Sequence, residues 1–271
     1  MNLENFYLLS HTKDQISLVQ RDCDVSIKFP QKANLLLFKK SLEIWLIQTK
    51  IQHTFKLEKA IGKGGFGKIY AAYRFNSSRP NKIVSIKKIE KEKITDSKTY
   101  RYLMNEINAL RIINHKNSVK LYSIYEEKND IFIVTEMLSG GTLGRLLNHK
   151  MQFSSNFILN VAHSLLQVIQ YFNKFNIVHR DIKPDNIMFK SNKNGQSKVK
   201  LIDYGLSANY KDFSTESLLY DKSGTAGYLA PELIGMDFLK KFYNEKVDVF
   251  SVGTILYEMV SGVNPFACKE Y

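Results

Sequence analysis

The chain has 271 residues, 44% apolar and 24% charged, which is enough for one globular domain with a real core plus a short extra piece. Its two cysteines, Cys23 and Cys268, lie near opposite ends, which excludes a disulfide framework and suits a reducing, cytoplasmic or nuclear, compartment; no apolar run approaches the ~18 residues of a membrane span, and Met1-Asn2-Leu3-Glu4 lacks the basic start of a signal peptide. The net charge of +13 is concentrated over residues 55–138, where 17 basic residues face 9 acidic ones; this allows weak attraction to an anionic membrane surface, but with no binding motif beside it nucleic acid is not an expected partner.

Residues 1–54 carry no catalytic signature. Ile16–Gln20 and Val25–Phe29 read as two short strands joined across the polar stretch Arg21–Asp24, a hairpin. Leu35, Leu36, Phe38, Leu42, Trp45 and Leu46 then recur at helical spacing, so about 33–50 is expected to form an amphipathic helix. Strands followed by a Trp-bearing helix resemble the C-terminal half of a pleckstrin homology domain. A helical extension packed on the rest of the chain accounts for the same pattern, since 54 residues are few for a whole domain of that type.

From Phe55 the pattern changes to strand. Ile61-Gly62-Lys63-Gly64-Gly65-Phe66-Gly67-Lys68-Ile69 presents G-x-G-x-x-G between two apolar strands, where residues without Cβ let backbone N–H groups approach phosphate oxygens and Phe66 can cap the tip. Alone, the motif also suits a plain hairpin turn. Along Ile83–Lys87 the faces alternate, so Ser85 and Lys87 point one way while Val84, Ile86 and Lys88 point the other. A shift of one residue would nominate Lys88 in place of Lys87. Tyr100, Leu103, Met104, Ile107, Leu110 and Ile113 set a helix over about 97–113 that carries Glu106, 19 residues beyond Lys87. Asp130–Leu138 reads as a buried strand running into the flexible Ser139-Gly140-Gly141, and Phe157, Val161, Leu165, Val168 and Phe172 mark a further helix over about 155–173.

That helix leads to His179-Arg180-Asp181-Ile182-Lys183-Pro184-Asp185-Asn186. Any one of these residues suits an ordinary polar turn. Together they set a carboxylate that can accept a proton from a hydroxyl, an ammonium that can offset charge on a moving phosphate, and an amide oxygen for Mg²⁺. Two short strands, Ile187–Phe189 and Val199–Ile202, follow, and the second ends in Asp203-Tyr204-Gly205, whose carboxylate can bridge Mg²⁺ to phosphates. Beyond it lie the polar segment with Ser214, Thr215, Ser217, Tyr220 and Ser223, then Gly224-Thr225, Ala230-Pro231-Glu232, and a helix from Lys246 to about Ser261.

The octet resembles the catalytic loop of eukaryotic protein kinases, and Lys183 within it is typical of the Ser/Thr branch. The resemblance extends over about 55–271. It implies an α+β fold with a small antiparallel-sheet N-lobe bearing one helix (55–138) and a mostly helical C-lobe (139–271), preceded by the extension 1–54. It also implies ATP-dependent phosphoryl transfer to Ser/Thr hydroxyls of protein substrates, with Mg²⁺. Asp181 would then be the catalytic base, Lys183 its partner, Lys87 the lysine on the α- and β-phosphates and Glu106 the ion partner of Lys87. Ile61 to Ile69 and Ser85 would line the nucleotide, the backbone of Glu136 and Leu138 would meet the adenine edge, and Asn186 and Asp203 would hold the metal.

By the same resemblance Asp248 would brace the backbone near His179 and Arg180, Thr225 would meet Lys183 and Asp181, and an upstream kinase would act on the Ser214–Ser223 segment, where Arg180 could clamp the added phosphate. The chain departs from the family at Tyr204, usually phenylalanine, whose extra hydroxyl needs water or a partner when buried and so is expected to make the inward pose slightly harder to hold. It departs again after Tyr271, where the family continues with further helices that include a partner for Glu232. A truncated, inactive kinase, or a nucleotide-binding scaffold without turnover, therefore stays open as the alternative.

Overall fold

A computed structural model describes residues 7–11, 15–20, 23–28, 44–64, 67–75, 83–191, 198–209, 224–234 and 244–266. The chain divides into two units, Met1–Thr99 with Lys120–Met137, and Tyr100–Val119 with Leu138–Tyr271.

The first unit is a nine-stranded sheet built from β1 (Tyr7–His11), β2 (Gln15–Gln20), β3 (Cys23–Lys28), β4 (Ile47–Gln48), β5 (Phe55–Gly64), β6 (Gly67–Arg74), β7 (Ile83–Glu90), β8 (Leu121–Glu126) and β9 (Asp130–Glu136). Their order across the sheet is β3-β2-β1-β4-β8-β9-β7-β6-β5. Antiparallel pairing runs through β8-β9-β7-β6-β5 and through β3-β2-β1; the neighbours are consecutive hairpin strands except β7 and β9, which pair across a crossover. The two halves are joined by β4, which lies parallel to both β1 and β8. The expected hairpin of residues 16–29 is thus present as β2 and β3, and it extends this sheet.

Most of the helix expected over 33–50 falls on residues 29–43, outside the described residues, but its end is not helical. Ile47, with no exposed surface, pairs with Tyr7 on one side and Ile124 on the other. A β-branched side chain that finds a ladder partner on each edge and a dry site gains more as strand than helical propensity offers. Four residues on, Ile51 joins Phe55, Ala72, Val84, Ile86, Tyr125, Phe132 and Val134 in one apolar cluster, and its N–H donates to Glu127 Oε1 at 3.0 Å. The segment before Phe55 therefore helps to cover one face of the sheet.

The second unit is mostly helical: α1 (Ser97–Ile112, whose first turn belongs to the other unit), α2 (Leu143–Asn148), α3 (Ser155–Asn173), α4 (Pro231–Ile234) and α5 (Lys246–Ser261). Two small antiparallel ladders complete it, β10 (Ile177–Val178) with β13 (Ala208–Asn209), and β11 (Ile187–Phe189) with β12 (Val199–Leu201). The start of α3 is set by Ser154, whose Oγ accepts the Phe157 N–H, and its inward stripe is Val161, Leu165, Val168 and Phe172, all fully buried. Spacing of three and four residues puts these on one face, and each contributes about 1.5–3 kcal/mol relative to an exposed position. At the end of α5, Gly262 takes φ +78 and returns its N–H to the Glu258 carbonyl, the left-handed stop that glycine makes without strain.

Ile86→Ala, which empties a fully buried site on β7, is expected to lower the unfolding free energy by about 2–4 kcal/mol in urea titration. Leu159→Ala, at a position 64% exposed on α3, should stay within about 0.5 kcal/mol.

Candidate active site

The loop between β10 and β11 is pinned from beneath. Asp248, on the first turn of α5 and wholly buried, takes the His179 N–H on Oδ2 at 2.8 Å and the Arg180 N–H on Oδ1 at 2.9 Å. Burial pushes its carboxyl above the usual range, and the neighbouring His179 and the two amide bonds oppose that push. Arg180 is held at φ +66, a left-handed conformation that costs a side-chain-bearing residue about 1–2 kcal/mol. The Asp248 bond to its N–H and an Nε donation to the Leu206 carbonyl at 2.6 Å offset that strain. The His179 ring is packed between Phe172, 6.4 Å away, and Tyr204, 5.1 Å away, and its Nδ1 accepts the Asp181 N–H. These contacts fix the main chain that leads into Asp181.

Around Asp181 the polar groups are saturated and close. Thr225 Oγ1 donates to Asp181 Oδ1 at 2.6 Å and accepts from Lys183 Nζ at 2.7 Å. Lys183 Nζ also lies 2.9 Å from Asp181 Oδ2, and Asn186 Nδ2 donates to that oxygen at 3.0 Å and to the Asp181 carbonyl at 2.9 Å. A carboxylate that accepts a hydroxyl hydrogen bond, with an ammonium beside the same oxygen, has the groups needed to take a proton from an alcohol and to offset the charge that results. Gly224, at φ +134, brings Thr225 there: a Cβ on it would sit 2.7 Å from the Arg180 carbonyl, so no other residue fits without displacing the loop.

Asn186 and Asp203 are coupled through the backbone, because Ile202 N–H donates to the Asn186 carbonyl at 2.9 Å. With its NH₂ committed to Asp181, the amide of Asn186 has its oxygen left to offer, and Asp203, at φ +62, supplies a carboxylate. Two hard oxygen donors match Mg²⁺, which keeps water and phosphate for its remaining positions.

Tyr204, next to Asp203, is fully buried, but its hydroxyl is not stranded. It lies 2.6 Å from Ser118 Oγ. Burial raises its pKa above the ordinary tyrosine value, so the hydroxyl stays protonated. The partner that this buried hydroxyl is expected to need is thus supplied 86 residues away, which nothing in the local sequence announces.

In the sheet-rich unit, Gly62, Lys63 and Gly64 on β5 face Ile69, Lys68 and Gly67 on β6, closing a hairpin whose tip residues Gly65 and Phe66 lie outside the described residues. A Cβ on Gly67 would collide with the Lys88 carbonyl, so glycine lets β6 lie against β7. On β7 the register separates the two lysines. Lys88 shares its face with Val84 and Ile86, bonds Asp130 at 3.0 Å and lies over the Phe132 ring; Lys87 shares its face with Ser85. Ile61, ahead of the hairpin, is 45% exposed. At the end of β9, Glu136 exchanges bonds with Lys120, whose N–H reaches Oε1 at 3.0 Å and whose carbonyl takes the Glu136 N–H at 2.9 Å. Leu138 and Glu106 are buried, Leu138 after β9 and Glu106 on α1. Thr142 caps α2 by accepting the Arg145 N–H at 3.1 Å. The segment Ser214–Ser223 lies outside the described residues.

A sheet-rich unit with a glycine hairpin and a mostly helical unit with a carboxylate, ammonium and amide loop define a class, the eukaryotic-type kinase catalytic domains. The family model for the protein kinase domain matches residues 55–271, and the chain belongs to that family. It is 34% identical over 218 residues to Calcium-dependent protein kinase 4 of Plasmodium berghei (strain Anka), covering 80% of this chain and 39% of that protein. It is 31% identical over 219 residues to CBL-interacting protein kinase 26 of Oryza sativa subsp. japonica, covering 81% of this chain and 42% of that protein. A longer match, 31% over 243 residues, is to Calcium-dependent protein kinase 6 of Plasmodium berghei (strain Anka) and takes in 90% of this chain and 15% of the relative. The chain thus spans about two-fifths or less of the length of these relatives.

Asp248→Asn keeps one acceptor but turns an NH₂ toward the second buried N–H, and should lower stability in denaturant titration by about 2–4 kcal/mol.

Proposed function

We propose that this chain transfers the γ-phosphoryl group of ATP to serine or threonine hydroxyls of protein substrates. The observation that carries the reading is the triangle of Asp181 Oδ1, Thr225 Oγ1 and Lys183 Nζ, with contacts of 2.6 and 2.7 Å about one hydroxyl oxygen. Asp181 would accept the proton of the incoming hydroxyl as its oxygen bonds to the γ-phosphorus and the bond to the ADP oxygen breaks. Lys183 would offset the charge on the transferred group, and Asn186 would hold the Asp181 carboxylate in line. In the sheet-rich unit, the main-chain N–H groups from Gly62 to Ile69 would cradle phosphate oxygens. Lys87, with Ser85 on the same face, would meet the α- and β-phosphates. We assign Glu106 as the ion partner of Lys87, and the backbone of Glu136 and Leu138 to the adenine edge. Asn186 and Asp203 would hold Mg²⁺, which would supply charge neutralisation at the phosphate oxygens. Membership of the family, the names of the relatives, which are protein kinases, and the placement of Lys183 beside Thr225 support this substrate class.

Transfer of labelled phosphate from ATP to a generic protein substrate in the presence of Mg²⁺ tests the reading. Asp181→Asn is expected to lower turnover at least ~10²-fold, roughly 2.7 kcal/mol of barrier, while ATP binding followed by thermal shift changes little. Turnover retained in that variant would sink the assignment of the base.

A further inference from the structure

The hydroxyl pair under the metal-binding carboxylate has a consequence beyond packing. The strand β12 and the segment Asn117–Val119 are zipped together: Leu201 N–H donates to the Asn117 carbonyl at 2.8 Å, Val119 N–H to the Leu201 carbonyl at 3.0 Å, and Asn117 Nδ2 to the Val199 carbonyl at 3.0 Å. Lys200, buried, reaches the Ser118 carbonyl with its Nζ at 2.9 Å. Ser118, 1% exposed, is therefore fixed with respect to the strand that runs directly into Asp203 and Tyr204.

Either hydroxyl can donate across the 2.6 Å contact between Tyr204 and Ser118 Oγ. The arrangement with the shorter contacts has Tyr204 donating to Ser118 Oγ and Ser118 Oγ donating onward to the Val119 carbonyl at 3.2 Å; the reverse leaves Tyr204 to donate to the Leu201 carbonyl at 3.4 Å. Without Ser118, the other acceptor near the Tyr204 hydroxyl among the described residues is the Leu201 carbonyl at 3.4 Å, a weak contact. The ring itself is walled by Phe172 at 5.9 Å and His179 at 5.1 Å, neither of which replaces the lost partner in kind. A stranded hydroxyl in such a site is relieved by turning the ring out to water, and Asp203, the preceding residue, would be turned with it.

We propose that Ser118 is a positioning residue for Mg²⁺ binding: its hydroxyl latches Tyr204 inward and thereby holds the Asp203 carboxylate where it meets the metal. This rests on the proposed kinase reading. The latch acts on a two-state equilibrium of the Asp203–Gly205 segment, so its loss reduces the competent fraction and weakens the apparent affinity by that fraction.

The test is a double-mutant cycle on Ser118→Ala, Tyr204→Phe and both together, read by the Mg²⁺ concentration that half-saturates binding of a fluorescent ATP analogue. Ser118→Ala is expected to raise that concentration about tenfold, a size set by the one stranded hydroxyl. Tyr204→Phe alone should shift it about twofold or less, since Ser118 retains the Val119 carbonyl. The double variant should return to within about twofold of the parent, because removing the stranded hydroxyl removes the reason to turn out. An unchanged Mg²⁺ requirement in Ser118→Ala, or a double variant no better than it, overturns the latch. A role confined to packing would lower the melting temperature of Ser118→Ala without moving the Mg²⁺ requirement of the folded fraction, and this too overturns it. Failure of the parent chain to bind the analogue at any Mg²⁺ concentration overturns the kinase reading and the latch with it, whereas the outcomes above leave that reading standing.

Discussion

Two main-chain N–H groups ending on one buried carboxylate hold this site together. Asp248 takes the amides of His179 and Arg180, adjacent in sequence and both deep in the helical unit, and fixes the chain direction as it leaves β10. From that anchor the rest is placed in turn: Arg180 in a left-handed conformation, His179 against Phe172 and Tyr204, and Asp181 with its N–H on the His179 ring. A buried carboxylate with fewer partners would be a liability. Here each oxygen has a donor, so the charge supports the loop instead of straining it.

From Asp181 outward, the polar groups form one connected network. Asn186 is bonded to Asp181, Ile202 carries the tie through the backbone from Asn186 to Asp203, and β12 carries it on to Asn117 and Ser118. Each bond is worth little alone, but in a dry setting such chains polarise one another and leave few alternative arrangements. The positive φ at Asp203 and at Arg180 is tolerated for the same reason: the neighbours determine each conformation more strongly than the local strain opposes it.

In the sheet-rich unit, alternation along β7 does comparable work with less chemistry. A period of two puts Val84 and Ile86 into the apolar cluster and sends Lys87 to the other face. Lys88 is drawn to Asp130 and the Phe132 ring, so the lysine proposed for phosphate is chosen by the pleat.

Much of this was legible from residue order, because it depends on near neighbours. The period of α3 follows from Val161, Leu165, Val168 and Phe172, the faces of β7 from alternation, and the candidate chemistry from eight consecutive residues, His179 to Asn186. The bracing by Asp248 and the contacts of Thr225 were expected only through likeness to a family, since 69 and 44 residues separate these partners from His179 and Asp181. Tertiary structure alone decided that Ile47 is strand between β1 and β8 and that Ser118 answers the hydroxyl of Tyr204. Local spacing encodes which way a side chain faces along its own element. Which distant group it meets is set by the packing of whole elements, and for Ile47 and Tyr204 that packing outweighed the local expectation.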